Sequence, residues 1–342
     1  MMSESIIIAF ESSCDETSVS VVKNGNEILS NVVASQVESH ARFGGVVPEV
    51  ASRHHVDNML YVIDEAIQQA NISIEDIDAV AVTKGPGLIG ALLIGIQAAK
   101  SFAFVHNIPL IGVHHIAGHI HSVQFDYKVD YPAIALVISG GHTELVRMAR
   151  QDHYEVIGDT QDDAIGEAFD KVARVLKLPY PGGPHMDRLA KEGRHRYDLP
   201  RPLMNDGTLN FSFSGLKSAV INLVHNCEQR GDKVIASDLA YDYHQAVIDI
   251  LQKKINLAME HYPETKSLIV AGGVAQNSHI RQALMESSER YDLNILFSRP
   301  SLCGDNAAMI GAAAHIKLIN NQFESLSLNG QSQLNIEEET AE

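Results

Sequence analysis

The stretch Ala133-Ile-Ala-Leu-Val-Ile-Ser-Gly-Gly-His-Thr143 decides the fold, because it joins an apolar run, a glycine turn and the start of a second apolar run. A continuous apolar run of this length indicates a buried strand, and Gly140-Gly141 supplies a tight turn. The same pattern begins the chain, where Ile6–Phe10 and Thr17–Val22 flank the turn Glu11–Glu16. The sequence therefore predicts that each half of the protein opens with the same strand hairpin.

Strand and helix patterns alternate behind each hairpin. After the first one, Asn24-Gly25 predicts a second turn into a strand at Glu27–Ser35, and Pro48 opens a helix with an apolar stripe. A strand at Ala79–Thr83 and an alanine-rich helix follow. Alternation of this kind is typical of layered α/β domains. No low-complexity linker separates the halves, so we expect two packed lobes with a central cleft.

The length and net charge of the chain limit which classes of function it can have. A chain of 342 residues with 45% hydrophobic residues is long enough for two cores. The formal net charge of −17 repels phosphate backbones, so a nucleic-acid partner would need a basic helper protein or a local basic cluster. Arg194, Arg196 and Arg201 are candidates for such a cluster.

Cysteine usage and the apolar pattern predict a cytoplasmic protein. Cys14, Cys227 and Cys303 are far apart and lack C-x-x-C spacing, which argues against a disulfide framework and a cysteine zinc site. The apolar start at Ile6–Phe10 is too short for a signal sequence. No apolar run is expected to approach the roughly 18 residues of a membrane span.

The stretch Val113-His-His-Ile-Ala-Gly-His-Ile-His121 holds four of the seventeen histidines. If this stretch is helical, His115 and His119 lie one turn apart on a single face, a spacing that suits binding of one metal ion. The alternative is that they are ordinary histidines on a helix surface without a ligand. Ile116 stands where the zinc-protease motif H-E-x-x-H has its glutamate, which argues against peptide hydrolysis. Two imidazoles alone do not hold a metal ion well, so a metal site here would need a third ligand. Asp305, which opens the last long helix, could supply it or could cap that helix.

Three glycine-bearing turns could bind a nucleotide. They are Ser139–Gly141, Pro181–Pro184 and Ala271–Asn277. Backbone N–H groups in such turns form anion-binding concavities, and bare glycines let a nucleotide lie against the main chain.

The first hairpin turn is acidic where the second is rich in glycine. Glu11, Asp15 and Glu16 would repel a triphosphate, which favours a nucleotide with one phosphate or an acylated one. A solvated turn without a ligand is the alternative reading of these carboxylates.

Motifs along nearly the whole chain resemble one family. The sequence resembles the tRNA threonylcarbamoyladenosine synthesis transferases, the TsaD group, which belong to the actin, sugar kinase and heat-shock chaperone (ASKHA) superfamily. The motifs that carry the resemblance are Glu11-Ser-Ser-Cys-Asp-Glu-Thr17, Gly44-Gly-Val-Val-Pro48, Gly85-Pro-Gly-Leu88, His114-His-Ile-Ala-Gly-His119, Ser139-Gly-Gly-His-Thr143, Gly166-Glu-Ala-Phe-Asp-Lys171, Tyr180-Pro-Gly-Gly-Pro184, Phe211-Ser-Phe-Ser-Gly-Leu-Lys217, Ala271-Gly-Gly-Val274 and Asp305-Asn306.

The resemblance implies a two-lobed actin-like fold with duplicated mixed-sheet domains. We expect residues 1–131 and 304–325 to form the N-terminal lobe and residues 132–303 to form the C-terminal lobe. The acidic end of the chain, residues 326–342, is expected to be disordered.

The resemblance also implies the site residues. The metal, iron (Fe²⁺) or alternatively zinc, is expected on His115, His119 and Asp305. Apart from the resemblance, the side chains that could act as a general base are Glu11, Asp15, Glu16 and His142, which the sequence does not rank. The substrate is expected on Val137, Ile138, Ser139, Gly140, Gly141, Asp170, Gly183, Asp187 and Asn277.

The reaction implied by the resemblance is transfer of a threonylcarbamoyl group from threonylcarbamoyl-AMP to N6 of the adenine next to the tRNA anticodon. Implied partners are a TsaB-like paralogue, a TsaE-like ATPase and a TsaC/Sua-type synthase that supplies the adenylate. An endopeptidase and an ATP-driven chaperone on the same fold are the rival functions. ATP turnover stimulated by client protein and indifferent to tRNA would favour the chaperone.

Overall fold

The structure, a computed structural model, describes residues 4–288 and 293–340. The chain divides into two compact units. The first comprises residues 1–129, 151–154 and 298–342, and the second comprises residues 130–150 and 155–297. The resemblance implies lobe boundaries at 131/132 and 303/304; the compact units of the structure divide at 129/130 and 297/298, and residues 151–154 belong to the first unit.

Strands and helices alternate along most of the chain. The strands are β1 Ile6–Glu11, β2 Glu16–Lys23, β3 Glu27–Ser35, β4 Ala79–Gly85, β5 Leu110–His114, β6 Ala133–Ile138, β7 Thr143–Met148, β8 Glu155–Asp159, β9 Ser267–Ala271 and β10 Asn294–Phe297. The helices are α1 Val37–Ala41, α2 Pro48–Ala70, α3 Ile89–His106, α4 His115–His121, α5 Ile165–Val175, α6 Gly182–Ala190, α7 Ser214–Arg230, α8 Ala236–His261, α9 Ser278–Ser288, α10 Pro300–Cys303 and α11 Ala307–Ile319.

The two units contain sheets of the same topology. The first sheet has the order β3-β2-β1-β4-β5, and the second has the equivalent order β8-β7-β6-β9-β10. In both, the hairpin strands pair antiparallel, as in Ile7↔Val22 and Ala135↔Val146. The hairpin's first strand then pairs parallel with a later strand, β4 or β9. The predicted hairpin at the start of each half is therefore confirmed, and so is the α/β class with duplicated mixed sheets.

The core of the first unit lies between its sheet and helices α2 and α3. Phe10 and Val21 of the sheet are fully buried, and Val62 of α2 and Ile96 of α3 pack against them. By length and composition alone, α3 is apolar enough to cross a membrane, which corrects the expectation that no apolar run approaches that length. Core helices pass the same test, and α3 packs on α2 and β4, so we assign α3 to the core.

The structure departs from the sequence patterns in further places. Strand β8 and helix α6 were not predicted, because α6 starts inside the Pro–Gly segment that indicated a loop. The predicted disordered tail instead packs on the first unit as far as residue 340, with Ile336 only 2% exposed and Glu339 only 7% exposed. The sequence pattern also predicts a helix near Asn277–Tyr291; residues 289–292 lie outside the described residues, and α9 is described to Ser288.

Candidate active site

Strand β5 leads directly into helix α4, so the histidine stretch starts at the carboxyl end of a buried strand. His114 is the N-cap of α4, and its Nδ1 accepts a hydrogen bond from the backbone N–H of Ile116 at 3.1 Å. His115 is 5% exposed, and His119 and His121 are 0% and 1% exposed. The alternative that these are histidines of a helix surface is therefore wrong.

Asp305 lies beside the two histidines that are one turn apart. Its Oδ1 is 3.1 Å from Nε2 of His119 and 3.6 Å from Nε2 of His115. The capping role considered for Asp305 belongs to its neighbour, because the side chain of Asn306 accepts the hydrogen bond from Met309 N at 3.2 Å. The carboxylate of Asp305 therefore does not serve as the cap of α11.

These three side chains fit a divalent metal ion. One ligand atom from each lies within 4.8 Å of the others. Both ring nitrogens of His119 are buried and make no hydrogen bond within residues 4–288 and 293–340, although Nε2 lies close to Asp305. Two imidazoles and a carboxylate are a common three-ligand set that leaves a metal position open to substrate. A buried nitrogen without a hydrogen-bond partner costs free energy, which metal binding would offset.

Glu11 orients His115. Its Oε2 accepts from Thr83 Oγ1 at 2.6 Å and lies 3.1 Å from Nδ1 of His115, while its Oε1 accepts from Ser13 N. This arrangement puts the proton of a neutral His115 on Nδ1 and turns Nε2 towards Asp305, as partner carboxylates commonly do for metal-binding histidines. With both oxygens engaged, Glu11 is a positioning group rather than the base candidate that the sequence left open.

The electrostatics of this cluster favour a cation. Burial opposes charging of His115, but the carboxylates of Asp305 and Glu11 outweigh it and raise the pKa of His115 to about 9. Burial, together with the charges of Asp305 and Asp15, raises the pKa of Glu16. Asp15 itself is 8% exposed. The structure thus groups the acidic turn with Asp305, so the alternative of a freely solvated turn is wrong.

The second unit has a pocket of about 360 Å³ where its glycine-bearing turns converge. Its lining residues are Gly140, Gly166, Phe169, Asp170, Pro181, Gly183, Pro184, Asp187, Gly273, Val274, Gln276 and Asn277. A more open groove of about 570 Å³ along α7 contains none of the predicted site residues. The pocket therefore brings together five of the nine predicted substrate residues.

The other four predicted substrate residues do not line this pocket. Val137 and Ile138 are fully buried in β6, so only their backbone could reach a ligand. Ser139 is 8% exposed, and its hydroxyl accepts from His142 N at 3.1 Å, which closes the turn. Gly141 is exposed on the same turn. His142, the third base candidate, belongs to this unit, whereas Asp15 and Glu16 belong to the first.

Two carboxylates of the pocket have opposite electrostatic environments. Burial raises the pKa of Asp170, although its Oδ1 accepts from Gly182 N at 2.7 Å. Burial acts in the same direction on Asp187, but hydrogen bonds from His279 and Ser278 outweigh it and hold the pKa of Asp187 well below its usual range. Asp187 is therefore an ionised hydrogen-bond acceptor at neutral pH.

Two histidines that the sequence pattern did not indicate, His244 and His279, lie behind the pocket. His244 Nδ1 lies 2.7 Å from Ala240 O, a pure acceptor, so Nδ1 carries the proton and Nε2 accepts from Asn277 Nδ2 at 2.9 Å. Asp187, His244 and His279 have metal-like spacing, but both nitrogens of His244 are already hydrogen-bonded. We therefore interpret this group as support for Asn277 and Asp187. The signal in the sequence was weak, because His244 lies 33 residues before Asn277.

Fold and site together define the class of protein. Two mixed sheets of the same strand order give the chain an actin-like (ASKHA) fold. The structure of full-length HypF in its phosphate- and nucleotide-bound form is similar, with a TM-score of 0.62 and 14% identity over 94% of this chain and 47% of that chain. At this identity the likeness shows the fold alone.

The chain belongs to the tRNA N6-adenosine threonylcarbamoyltransferase family. The sequence model of that family, TsaD, matches residues 27–312. The tRNA N6-adenosine threonylcarbamoyltransferase of Staphylococcus haemolyticus is 54% identical over 342 residues, which is 100% of both chains. The Bacillus cereus protein of the same name is 55% identical over 338 residues, which is 98% of both chains. The family is one of tRNA-modifying transferases, and tRNA is its substrate.

Proposed function

We propose that this chain transfers the threonylcarbamoyl group from threonylcarbamoyl-AMP to N6 of the adenine at position 37 of tRNAs that read A-starting codons, and releases AMP. One observation carries the proposal: in a member of this family, Asp170, Gly183, Asp187 and Asn277 all line one pocket of the second unit. These are the residues that the family resemblance assigns to the ribose and adenine of the donor.

The pocket suits the adenosine part of the donor. Its volume of about 360 Å³ is in the range of small-ligand sites, and Phe169 and Pro181 provide apolar walls. Asp187 is an ionised acceptor for ribose hydroxyls. The backbone N–H groups of Gly140 and Gly141 would donate to the single phosphate, whereas that of Ser139 donates to His142 O. The donor would therefore be bound through a neutral base, a ribose and one phosphate.

The metal ion would be bound by His115, His119 and Asp305. We propose iron (Fe²⁺), with zinc as the alternative. A divalent ion in such a site supplies Lewis-acid stabilisation and orientation of phosphate oxygens. Glu11 keeps His115 in the tautomer that presents Nε2 to the ion.

The chemical step forms a bond from N6 of the adenine to the carbamoyl carbon and breaks the bond from that carbon to the phosphate oxygen. The bonding pair of the broken bond leaves with AMP, and N6 loses one proton. Asp15, Glu16 and His142 are the candidate acceptors of that proton. We favour Glu16, because burial and the charges of Asp305 and Asp15 raise its pKa, and a higher pKa makes a carboxylate a stronger proton acceptor.

The acidic chain needs partners to bind tRNA. Of the three arginines considered, Arg196 pairs with Asp238 at 3.6 Å and Arg201 with Asp249 at 2.8 Å, so both are engaged within their own unit. We propose that a TsaB-like paralogue and a TsaE-like ATPase complete the activity and that a TsaC/Sua-type synthase supplies the adenylate. The proposed location is the cytoplasm, where the tRNA substrate is found.

The proposal is tested with synthetic threonylcarbamoyl-AMP that carries labelled threonine, an unmodified tRNA transcript, and this chain together with its partners. Label is expected in the tRNA, with one AMP released for each threonine transferred. A transcript with guanine at position 37 and the His119→Ala variant are the matched controls, and both should give no transfer. Release of AMP without label in the tRNA, or equal labelling of the guanine transcript, would contradict the proposed acceptor.

A further inference from the structure

The C-terminal strap, defined here as residues 331–340, runs past the carboxyl end of β4 and the N-terminus of α4. Gln331 N donates to Lys84 O at 2.8 Å, and Ser332 O accepts from Gly87 N at 3.3 Å. A Cβ at Gly85 would lie 2.3 Å from Gln331 O. The strap therefore approaches the end of β4 closely enough to require glycine there.

A buried ion cluster holds the far end of the strap. The carboxylate of Glu339 lies 2.6 Å from the ammonium group of Lys84 and 2.5 Å from that of Lys317. Burial would raise the pKa of Glu339, but the two lysines outweigh it and lower that pKa. Ile336, between the two anchored ends, is 2% exposed. Buried charge pairs and apolar burial together fix the strap to the first unit.

The strap contacts the first residue of the histidine stretch. Nε2 of His114 lies 3.0 Å from Leu334 O. A carbonyl can only accept, so Nε2 carries the proton and Nδ1 is left to accept from Ile116 N at the start of α4. One imidazole thus joins the backbone of the strap to the N-terminus of the helix that carries His115 and His119.

The strap also reaches the other end of α4. Thr340 Oγ1 accepts from Tyr154 N at 3.0 Å and donates to Tyr154 O at 3.1 Å. The Tyr154 hydroxyl lies 2.6 Å from Nε2 of His121, the last residue of α4. Because Gln124 donates to Nδ1 of His121, Nε2 carries the proton and donates to the tyrosine oxygen. Both ends of α4 are therefore connected to the strap by hydrogen bonds.

We propose that the strap is a positioning device for the metal-binding helix, with His114 as its main positioning residue. By fixing both ends of α4, the strap sets the direction in which His115 and His119 present their ring nitrogens. The inference rests on the proposed metal site, which His119→Ala tests separately. Groups that orient metal ligands commonly change metal affinity by about 10-fold to 100-fold when removed.

The experiment is a Co²⁺ titration of the full-length chain, read from the visible ligand-field absorption of the bound ion. His114→Ala removes both bonds of the imidazole. His114→Asn keeps an oxygen that can accept from Ile116 N but is too short to reach Leu334 O. Ile336→Ala loosens the strap without changing any charge. The exposed His225→Ala is the matched control for loss of a histidine.

We expect His114→Ala to weaken Co²⁺ binding about tenfold and to change the absorption spectrum, and His114→Asn to weaken it nearly as much. Ile336→Ala should weaken it severalfold, and His225→Ala should not. If His114→Asn restores wild-type affinity and spectrum, helix capping alone explains His114 and the strap has no role. Wild-type binding by Ile336→Ala would also overturn the inference. If His114→Ala does not fold, the Co²⁺ affinities of His114→Asn and Ile336→Ala test the inference instead. Co²⁺ binding that survives His119→Ala would refute the metal site itself.

Discussion

Replacing Gly166 with alanine should displace the glycine turn of the second unit without unfolding it. Gly166 lies in α5 against the turn 139–141, and a Cβ there would be 2.6 Å from Ser139 O and 2.8 Å from Gly140 Cα. Ordinary contacts of this kind begin near 3.4 Å, so Ser139 O must recede by about 0.8 Å, the difference between these distances.

The displacement should weaken nucleotide binding and also lower stability, because crowding around the added Cβ costs about 1 to 3 kcal/mol. It breaks the 3.2 Å hydrogen bond from Gly166 N to Ser139 O, which costs about 1 kcal/mol. The higher helix propensity of alanine offsets that by up to about 1 kcal/mol. The backbone donors of the turn meanwhile move away from the phosphate. Loss of one hydrogen bond to that phosphate corresponds to about tenfold weaker AMP binding, which isothermal titration calorimetry measures directly.

Gly215→Ala is the matched control for this experiment. Gly215 is also a helical glycine of the second unit, and its added Cβ would meet Pro202 Cγ at 3.2 Å and no atom of the turn. The Gly215→Ala variant should bind AMP with the affinity of the wild type. AMP affinity that is unchanged in Gly166→Ala, with the same circular dichroism as the wild type, would refute the assignment of the phosphate to the turn 139–141.

Three further substitutions test separate parts of the structure. Glu11→Gln should weaken Co²⁺ binding about tenfold in a spectroscopic titration, because an amide cannot accept from every donor around it; unchanged binding would contradict its orienting role. Burial and Asp159 raise the pKa of Glu144 to about 7. The folded state therefore holds this proton more tightly, and stability falls as pH rises from about 4.5 to 7. Glu144→Gln should stabilise the protein by about 2 kcal/mol at pH 8, after allowance for partial exposure, and leave it unchanged at pH 4 in urea denaturation; equal effects at both pH values would contradict the shift. Lys254→Met should destabilise the protein by about 3 kcal/mol and speed proteolysis within residues 194–213. The reason is that the buried ammonium group of Lys254 donates to Leu203 O, Asp206 Oδ1 and Thr208 O. Resistance to proteolysis equal to that of the wild type would show that Lys254 does not anchor residues 194–213.

Local pattern was enough to predict the repeated hairpins and the helical spacing of His115 and His119. Strands such as Ala133–Ile138 are continuous apolar runs between turn residues, so their bounds match the sequence prediction. The histidine spacing also implies a shared helix face, and the structure adds that both rings are buried.

Long-range contacts could not be predicted in the same way. Glu11 and His115 are 104 residues apart, and no local pattern links them. The acidic C-terminus indicated disorder, yet Glu339 is held by two lysines from distant elements, Lys84 and Lys317. Helix α6 was missed because Pro181 and two glycines precede its apolar residues, whereas Gly182 is needed where the helix packs on Ala173. Each of these features depends on tertiary partners.

Nucleoside mass spectrometry of tRNA tests the central claim most directly. A bacterium depleted of its own tRNA N6-adenosine threonylcarbamoyltransferase would be complemented with this chain or with its His119→Ala variant. We predict that the wild-type chain restores threonylcarbamoyladenosine in tRNAs that read A-starting codons and that the variant, expressed at the same level, does not. Tryptic detection of both proteins in the cells, with no threonylcarbamoyladenosine restored by the wild-type chain, would contradict the proposed function.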